Sequence, residues 1–433
     1  MKNKKLLVLG GRPMGSKEIV EYARGLGMYV IVADYLDKGK SPAKQLADEC
    51  WEISTADTEE LVENGRKAGI DGVVAGVHEF NIRQSIVVAQ QLGLPSYCTL
   101  EQWDALSNKS EFKKICIRHG VPVVREYDYN DILEGRTTID FDSTPLVCKP
   151  AEGSGSRGFS ICRSLNDLRS AIEVARENGS GGEVLVEEWV HHESIVAYYN
   201  INENGPELVA VADKYPKKFP GTDVAISGLH VYPSRYTRDV SESIDKEIRT
   251  MLDRMKLNRG TVWIELFKTN EQIYANEAGY RFSGSLSYFQ LKAQHGIDQL
   301  HDYLESAISD DISVVVGPDR GNESKGSEKF YYGILPMQLK KGTVTGIKAY
   351  DIVLSHPNVV AFPTLYGIGD EIGDWNSCKQ TFGYLHFVFD NEEEMRATLS
   401  FARETLFVFD ETERDMLYSL FDIDSDGVIL RNS

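Results

Sequence analysis

Cysteine is scarce in this chain, which excludes one kind of site and one class of protein. Only 6 of the 433 residues are cysteines, and no two of them have the C-x-x-C spacing of zinc or redox sites. A chain of this length with so few cysteines is not a disulfide-stabilised secreted domain either. We therefore predict a reduced, cytoplasmic protein. The cysteines lie at positions 50, 98, 116, 148, 162 and 378.

Long hydrophobic runs are also missing. The first apolar run, Leu6 to Leu9, is followed by two glycines and is too short for the core of a signal peptide. No later run approaches the roughly 20 apolar residues of a membrane-spanning helix. We therefore expect no membrane partner.

Basic residues are fewer than acidic residues. Lysine and arginine number 47, against 66 aspartates and glutamates, which gives a formal net charge of -19 and a pI near 5.0. This charge opposes a broad contact with a phosphate backbone, so we expect no nucleic acid partner. Small molecules are the expected partners, and a homodimer remains open.

The chain does contain a glycine-rich segment with a well-known spacing. In CKPAEGSGSRG, Gly153, Gly155 and Gly158 have the G-x-G-x-x-G spacing of dinucleotide-binding loops. Such a loop must lead into a helix whose N-terminus binds the pyrophosphate, but the β-forming segment FSICRS follows here. We therefore predict a hairpin between two antiparallel strands.

A hairpin of this composition can cover phosphate groups as a flap. Its backbone N–H groups and small hydroxyls can approach a phosphate closely, and Lys149, at the end of the preceding strand, can reach phosphate oxygens beneath it. The alternatives are a plain flexible hairpin and a surface lysine. The predicted flap residues are Ser154, Gly155, Ser156 and Arg157.

The segment VEEWVHHE, residues 186–193, has the composition of a nucleotide-base site. Its backbone can bond to an adenine, its apolar side chains can enclose the ring, and Glu193 can bind ribose hydroxyls. An acidic strand end is the alternative.

A second hairpin, GTVWIELFKTNEQIYANEAGYRFSG, contains the candidate metal ligands. Glu265 lies among apolar residues, where a carboxylate is costly without a cation. A three-residue loop, 270–272, would place Glu265 opposite Glu277 at about 5 Å, whereas a two-residue loop would place Asn276 there. Two such carboxylates favour Mg²⁺ or Mn²⁺.

Arg281 lies on the same face of this hairpin. Glu277, Gly279 and Arg281 alternate along one strand and therefore point the same way. A guanidinium there suits a transferring phosphoryl group or an acyl phosphate, which makes Arg281 the catalytic candidate. The alternative is a structural cluster in which Arg281 balances the two carboxylates.

The N-terminal region alternates apolar runs with helical patterns, which predicts βαβ units and a parallel sheet. His78 and Glu79 follow a strand of this sheet, where open sheets present ligand-binding loops. His230 and Arg235 are further substrate-binding candidates. The segment SNKSEFKKICIRHG predicts a helix with Ser107 or Asn108 as its N-cap.

Two other signals point to different functions. Gly10, Gly11 and Gly15, followed by Asp34, are reminiscent of NAD-binding folds, but GGRPMG has the wrong spacing. The segment 422–427, DIDSDG, begins like a calcium loop, but its twelfth position is Ser433 instead of glutamate. An acidic turn is expected there.

In their order along the chain, these segments resemble the ATP-grasp superfamily, and the resemblance covers nearly the whole chain. It implies that Lys109 in SNKSEFK and Lys149 contact ATP, that Glu187 and Val190 contact the base, and that Glu193 binds the ribose. It also implies metal binding by Glu265 and Glu277. Many members have an asparagine ligand where this chain has Gly279, which leaves the number of metal ions open.

Within that superfamily, the chain resembles carboxylate-amine ligases related to the L-amino acid ligases and the carbamoyl-phosphate synthase large subunit. The resemblance implies an ATP-dependent ligase that joins a carboxylate to an amine through an acyl phosphate, with Mg²⁺ or Mn²⁺. The alternatives are a regulatory ATP-binding protein, another phosphoryl- or carboxyl-transfer role, and an NAD-linked oxidoreductase.

The expected fold is α/β and α+β, in three parts. A Rossmann-like pre-grasp domain is predicted over residues 1–105, and an ATP-grasp domain over 106–310 with its flap subdomain at about 120–190. A small β-rich C-terminal lobe is predicted over 311–433.

Overall fold

The fold is described here from a computed structural model. The described residues are 1–12, 14–152, 158–179, 182–219, 225–309, 330–422 and 426–430. The strands in this part of the chain are β1 Lys5–Leu9, β2 Tyr29–Ala33, β3 Glu49–Trp51, β4 Gly72–Ala75, β5 Leu146–Pro150, β6 Ser160–Cys162, β7 Val184–Glu188, β8 Glu193–Asn202, β9 Gly205–Lys218, β10 Ala225–Tyr232, β11 Gly260–Lys268, β12 Ile273–Gly279, β13 Tyr331–Leu339, β14 Gly342–Thr343, β15 Gly346–Lys348, β16 Val359–Ala361, β17 Glu371–Ile372, β18 Thr381–Phe389, β19 Phe407–Phe409 and β20 Leu417–Tyr418.

Helices follow most of the N-terminal strands and cover the later sheets. The α-helices are α1 Ser16–Gly25, α2 Pro42–Leu46, α3 Thr58–Ala68, α4 Glu79–Leu92, α5 Leu100–Ser107, α6 Lys109–Arg118, α7 Tyr129–Leu133, α8 Leu165–Asn178, α9 Thr237–Ser243, α10 Asp245–Arg254, α11 Tyr288–His295, α12 Gln299–Ile308, α13 Tyr350–Leu354 and α14 Glu392–Thr405.

The N-terminal sheet is parallel, as predicted, with the strand order β3-β2-β1-β4. Successive residues of β1 enter two different cores. Leu7 and Leu9 pack on one side of the sheet, and Leu6 and Val8 pack on the other. A continuous apolar run such as KLLVL suits a strand that is covered on both faces.

The glycine-rich segment joins two antiparallel strands, as the sequence predicted. β5 pairs with β6, with Leu146 opposite Cys162, and β7 pairs along the other edge of β5. Helix α8 packs on this small sheet through Leu168 and Ile172. No helix begins directly after the glycines, because β6 comes first. The segment therefore lacks the strand-to-helix geometry of a dinucleotide-binding loop.

A large sheet of nine described strands carries the remaining candidate residues. Its order is β12-β11-β8-β9-β10-β13-β18-β16, with β20 paired to β13. One face of β11 packs Val262, Ile264 and Leu266 against α5, α6 and α10. The other face therefore presents Trp263 and Glu265. Strands β13, β16 and β18 extend this sheet across the predicted boundary at residue 310, and the domain limits remain a prediction.

Helix α6 begins where one of the predicted caps places it. The side chain of Asn108 accepts a 3.0 Å hydrogen bond from the backbone N–H of Glu111. This cap fixes the first turn of α6, which carries Lys109 toward the large sheet.

Candidate active site

The two candidate metal carboxylates lie side by side on the β11–β12 hairpin, with Glu265 opposite Glu277. The turn is tighter than the three-residue loop considered above, because the N–H of Thr269 bonds to the carbonyl of Gln272. A β-bulge next to Glu265 compensates, with Asn276 as the extra residue. Asn276 and Glu277 therefore both lie beside Glu265. The sequence had left open which of these two residues stands there.

The carboxylate of Glu265 is buried but has partners. The residue is 8% exposed, forms an ion pair with Lys214 of β9, and accepts a 3.2 Å hydrogen bond from Asn276 Nδ2. Burial acts to raise the pKa of Glu265, but Lys214 and Asn276 outweigh burial and hold the pKa below its usual value. Glu265 therefore remains an anionic oxygen ligand.

Two lysines predicted to bind ATP reach this hairpin from separate elements. Lys109 Nζ on α6 lies 3.3 Å from Glu277 Oε2. Lys149 Nζ on β5 donates a 3.0 Å hydrogen bond to Asn276 Oδ1. The fold therefore places positive charge from two other elements against the candidate metal site.

The oxygen atoms of the hairpin fit a magnesium ion. Mg²⁺ usually takes one or two carboxylates and completes its coordination with phosphate oxygens and water. Glu265 and Glu277 supply such a pair, and the bulge adds the amide of Asn276 beside it. In the part of the chain that the structure describes, no group of three or more histidines, cysteines and carboxylates could hold a metal.

Glu187 lies between two buried lysines. Its carboxylate forms ion pairs with Lys113 and, at 2.9 Å, with Lys149. Burial acts to raise the pKa of Glu187, but the two lysines hold it below its usual value. Burial and the charge of Lys149 lower the pKa of Lys113 to about 8. Because the carboxylate of Glu187 already pairs with two lysines, any contact from Glu187 to the nucleotide base would come from its main chain.

The predicted hinge follows β7 directly. Trp189 is 39% exposed, and His192 Nδ1 lies 2.8 Å from the carbonyl oxygen of Val190. The ring of His192 stacks on Phe267 of β11 with centroids 3.7 Å apart. The exposed carboxylate of Glu193 accepts a 2.9 Å hydrogen bond from Arg235 Nη2. The hinge thus combines an exposed indole, a stacked imidazole and a carboxylate near the β11–β12 hairpin, which holds the candidate metal ligands.

Arg281 lies at the opposite end of the hairpin, against the N-terminal lobe. Its Nη2 donates a 2.8 Å hydrogen bond to Glu79 Oε1, although the two residues are 202 positions apart in the sequence. Arg281 pairs with Glu79, whereas Glu265 pairs with Lys214 and Glu277 with Lys109. The arginine therefore connects the sheet to the first turn of α4.

The other predicted substrate residues lie at three different places. His78 is the exposed N-cap residue of α4, next to Glu79. Arg235 lies beside the hinge, where it contacts Glu193 and Asp213. His230 is buried in β10, close to Lys214. The structure brings Glu79 to Arg281 but does not bring Arg235 to either of them.

Comparisons with known proteins agree with this arrangement. The family profile of the ATP-grasp domain matches residues 142–288, which include β5, the hinge, the metal hairpin and Arg281. The chain contains an ATP-grasp domain. A formate-dependent phosphoribosylglycinamide formyltransferase of Wolinella succinogenes is 23% identical over 282 residues, which are 64% of this chain and 70% of that protein.

Solved structures show the same fold over nearly the whole chain. The L-amino acid ligase of Bacillus licheniformis matches with a TM-score of 0.71 and 18% identity, over 95% of this chain and 100% of that chain. The biotin carboxylase domain of the Hydrogenobacter thermophilus 2-oxoglutarate carboxylase, solved with MgADP and bicarbonate, matches with a TM-score of 0.75 and 15% identity. That match covers 94% of this chain and 91% of that chain.

These findings confirm the predicted superfamily and fold. They also agree with the predicted class, an ATP-dependent enzyme that forms carbon–nitrogen bonds. The roles of individual residues stay predictions. The flap residues Ser154, Gly155, Ser156 and Arg157 lie outside the described residues.

Sequence reasoning missed several residues of the candidate site. Lys214 and Lys113 neutralise Glu265 and Glu187, and Asn276 bonds to Glu265. Lys113 lies four residues after Lys109 on α6, which was a usable signal, because that spacing puts both residues on one helix face. Lys214 had no local signal, since sheet order alone brings β9 near β11.

The residues that suggested NAD have partners within the N-terminal region. The buried carboxylate of Asp34 accepts hydrogen bonds from the N–H of Gly11 at 2.7 Å and from the hydroxyl of Ser41 at 2.8 Å. Lys44 lies 3.0 Å away and is itself buried. This network explains why a carboxylate stands at the end of β2 without a nucleotide ribose.

Two further predictions concern a membrane and calcium. No helix among the described residues has both the length and the apolar character needed to cross a membrane. Residues 423–425 of the calcium-like segment lie outside the description, while Asp426 forms an ion pair with Lys217.

Two buried histidines of the large sheet should make stability depend on pH. Burial, assisted by Lys214, lowers the pKa of His230 to about 3, and burial, assisted by His230, lowers the pKa of His386 to about 3. In the unfolded chain both take up protons near pH 6.5, whereas the folded chain does not. The free energy of unfolding should therefore fall by about 2 kcal/mol per histidine between pH 7 and pH 5.

Urea denaturation at the two pH values measures this fall. In the His230→Gln variant, the fall should be smaller by about 2 kcal/mol than in the wild type. The matched control, His119→Gln, replaces a histidine outside the large sheet and should keep the full fall. Equal falls in wild type and His230→Gln would show that His230 does not contribute.

Proposed function

We propose that this ATP-grasp protein is a ligase that phosphorylates a small-molecule carboxylate and transfers the acyl group to an amine. One observation carries the proposal. Glu265, Asn276 and Glu277 meet Lys109, Lys149 and Lys214 on one face of the large sheet, with Arg281 on the same hairpin. Such a concentration of cations and oxygen ligands suits a reaction between two anions.

The first step is phosphoryl transfer. A carboxylate oxygen attacks the γ-phosphorus of ATP, the bond between the γ-phosphorus and the bridging oxygen breaks, and ADP leaves. Both reactants are anions, so repulsion makes a large part of the barrier. Lys109 and Lys149 would offset this charge, and both can exchange their present oxygen partners for phosphate oxygens.

The second step is acyl transfer. The amine nitrogen attacks the carbonyl carbon of the acyl phosphate, the carbon–oxygen bond to phosphate breaks, and the amine releases a proton. The products are an amide, ADP and phosphate. Arg281 is proposed as the catalytic arginine, because a guanidinium held by Glu79 can bind the departing phosphate oxygens.

Glu265 and Glu277 are proposed to hold magnesium or manganese. When bound, the ion offsets the negative charge of the nucleotide phosphates. The proposed base contacts are Glu187 and Val190, and Glu193 is proposed for the ribose. The exposed Trp189 and the His192–Phe267 stack support this placement, because they offer an aromatic surface beside these residues.

The substrates are proposed to bind between Arg281 and the N-terminal lobe. Arg281 also lines a cavity that extends between Ala75, Tyr97 and Asp302. Burial, with the nearby Asp298 and Glu305, raises the pKa of Asp302 to about 7. The names of the relatives, a formyltransferase and an L-amino acid ligase, support a small carboxylate and an amine.

A cytoplasmic setting is part of the proposal. All six cysteines are free thiols, and Cys98, Cys116, Cys148 and Cys162 are buried. A reducing compartment keeps such thiols unpaired.

Trapping with hydroxylamine tests the proposed reaction without knowledge of the amine. Hydroxylamine attacks acyl phosphates and yields coloured hydroxamates. With Mg-ATP, hydroxylamine and pools of small carboxylates and amino acids, we expect hydroxamate and ADP in equal amounts from at least one pool. Omission of the carboxylate is the control and should leave ADP formation at background.

Binding measurements separate the alternatives. Isothermal titration should show binding of Mg-ATP and none of NAD. Binding of NAD without Mg-ATP would favour the oxidoreductase. Binding of Mg-ATP without ADP or hydroxamate from any pool would contradict the ligase and favour a regulatory protein.

A further inference from the structure

Trp263 occupies a central position on the candidate catalytic face, opposite Gly279 of β12. It lies on β11 two residues before Glu265, so both side chains point to the same face. Its strand partner on β12 is Gly279, which lies between Glu277 and Arg281 on that face. The indole is therefore placed between the metal carboxylates and the catalytic arginine.

The indole packs directly on the backbone of Gly279. A Cβ atom at position 279 would lie 2.5 Å from Trp263 Cε2 and Cζ2 and 2.6 Å from its Nε1. Real Cβ atoms do not approach other atoms this closely, so any larger residue would displace the ring. Glycine at 279 thus makes room for Trp263, and the nitrogen edge of the indole fills the space of the missing side chain.

Arg281 rests against the same ring. Its guanidinium carbon lies 5.1 Å from the centre of the Trp263 ring, within the range of a cation–π contact. The two terminal nitrogens bond to Glu79 and to the carbonyl of Phe282, each at 2.8 Å. The orientation of the guanidinium therefore depends on the tryptophan as well as on these acceptors.

Two N–H donors at this place have no partner among the described residues. They are Trp263 Nε1 and Arg281 Nε, and both atoms are buried. A buried donor without an acceptor destabilises the folded protein, so such groups normally have a ligand or an ordered water as a partner. Both groups can only donate, which means that the missing partner is an acceptor, and the charge of Arg281 favours an anion.

We propose that the indole N–H of Trp263, together with Arg281, binds an anionic oxygen of the reacting acid. This inference rests on the proposed ligase function and deepens it. The ligand is a carboxylate or the phosphate of its acyl phosphate, both of which present anionic acceptors. The indole N–H is a neutral donor, and it holds the acid between the β11–β12 hairpin and Arg281. Gly279 makes this possible because it leaves room for the indole ring.

Nuclear magnetic resonance of the ¹⁵N-labelled indole groups tests the contact directly. The chain has 5 tryptophans, and the signal that disappears in Trp263→Phe belongs to Trp263. We expect this proton signal to move downfield when inorganic phosphate or acetate is added to the protein with Mg-ADP, and to stay in place with Mg-ADP alone. The phosphate and acetate arms distinguish the two ligand sources.

The indole signal of Trp189 shows whether a negative result contradicts this inference or the proposed function. It lies on the hinge and should respond to Mg-ADP by itself. A Trp189 response without any Trp263 response to either anion would overturn the role of Trp263. No response of Trp189 or of any other tryptophan to Mg-ADP would instead contradict the proposed nucleotide site.

Kinetics of the reverse reaction provide a second measurement. Acetyl phosphate and Mg-ADP yield acetate and ATP by transfer of the phosphoryl group, and luciferase detects the ATP. Trp263→Phe retains the ring beside Arg281 but lacks the N–H, and its kcat/KM for acetyl phosphate should fall by about 10- to 100-fold with unchanged binding of Mg-ADP. The matched control, Trp375→Phe, removes a partly exposed indole of the C-terminal region and should match the wild type.

Gly279→Ala tests the same arrangement from the other strand. The added methyl group should displace the indole, so the variant should lose the anion response while Trp189 still responds to Mg-ADP. Wild-type kcat/KM in Trp263→Phe, or an intact anion response in Gly279→Ala, would overturn the inference.

Discussion

Replacement of Glu277 by glutamine is expected to lower turnover by a factor of about 1,000 and to leave ATP binding within a few-fold of the wild type. The variant retains the size of the side chain but loses the negative charge that is proposed to hold the metal. Glu277 is the more accessible of the two carboxylates, with 30% of its side chain exposed. Hydroxamate formation measures turnover, and isothermal titration with Mg-ATP measures binding.

Glu271→Gln is the matched control for this experiment. Glu271 lies at the exposed tip of the same hairpin, so the change in charge is identical but far from the site. Full activity is expected in this variant. Titration with Mn²⁺, followed by electron paramagnetic resonance, should show weaker binding in Glu277→Gln only. Wild-type turnover and Mn²⁺ affinity in Glu277→Gln would exclude it as a metal ligand.

The second large effect is on stability. Glu187→Gln should lower the free energy of unfolding by about 3 to 5 kcal/mol at neutral pH, because it leaves Lys113 and Lys149 buried without a counter-charge. Glu187 is only 3% exposed, so water cannot replace the lost carboxylate. Urea denaturation measures the change.

A surface ion pair supplies the comparison. Glu63 and Lys67 are exposed and pair at 2.5 Å within α3. Solvent screens this pair, so Glu63→Gln should not shift the urea midpoint measurably. A Glu187→Gln midpoint as close to the wild type as that of Glu63→Gln would show that the buried lysines are neutralised in some other way.

The sequence was most informative where function depends on residues that are close together in the chain. The strand after the glycines excluded a dinucleotide loop, and β6 is present where that argument requires it. Period-2 alternation placed Glu277 and Gly279 on one face of a strand, and β12 has this register, whereas Arg281 lies two residues beyond its end. These arguments succeed because local conformation follows from neighbouring residues.

The sequence was least informative where a single extra residue changes the geometry. A two-residue hairpin loop would place Asn276 opposite Glu265, and a three-residue loop would place Glu277 there. The sequence did not show which loop length occurs. The β-bulge resolved the choice by placing both residues beside Glu265. A bulge depends on the pairing of both strands, which one strand's sequence does not show.

By itself, the sequence determined the superfamily and the order of the site segments along the chain, because each segment has a local chemical pattern. The cofactor that it predicts is part of the proposal. The tertiary structure alone decided which charges meet. Lys214 reaches Glu265 across the sheet, Glu79 reaches Arg281 from another lobe, and Trp263 covers Gly279 from the neighbouring strand. The physical reason is that sheet order, strand register and lobe packing bring together side chains that are distant in sequence.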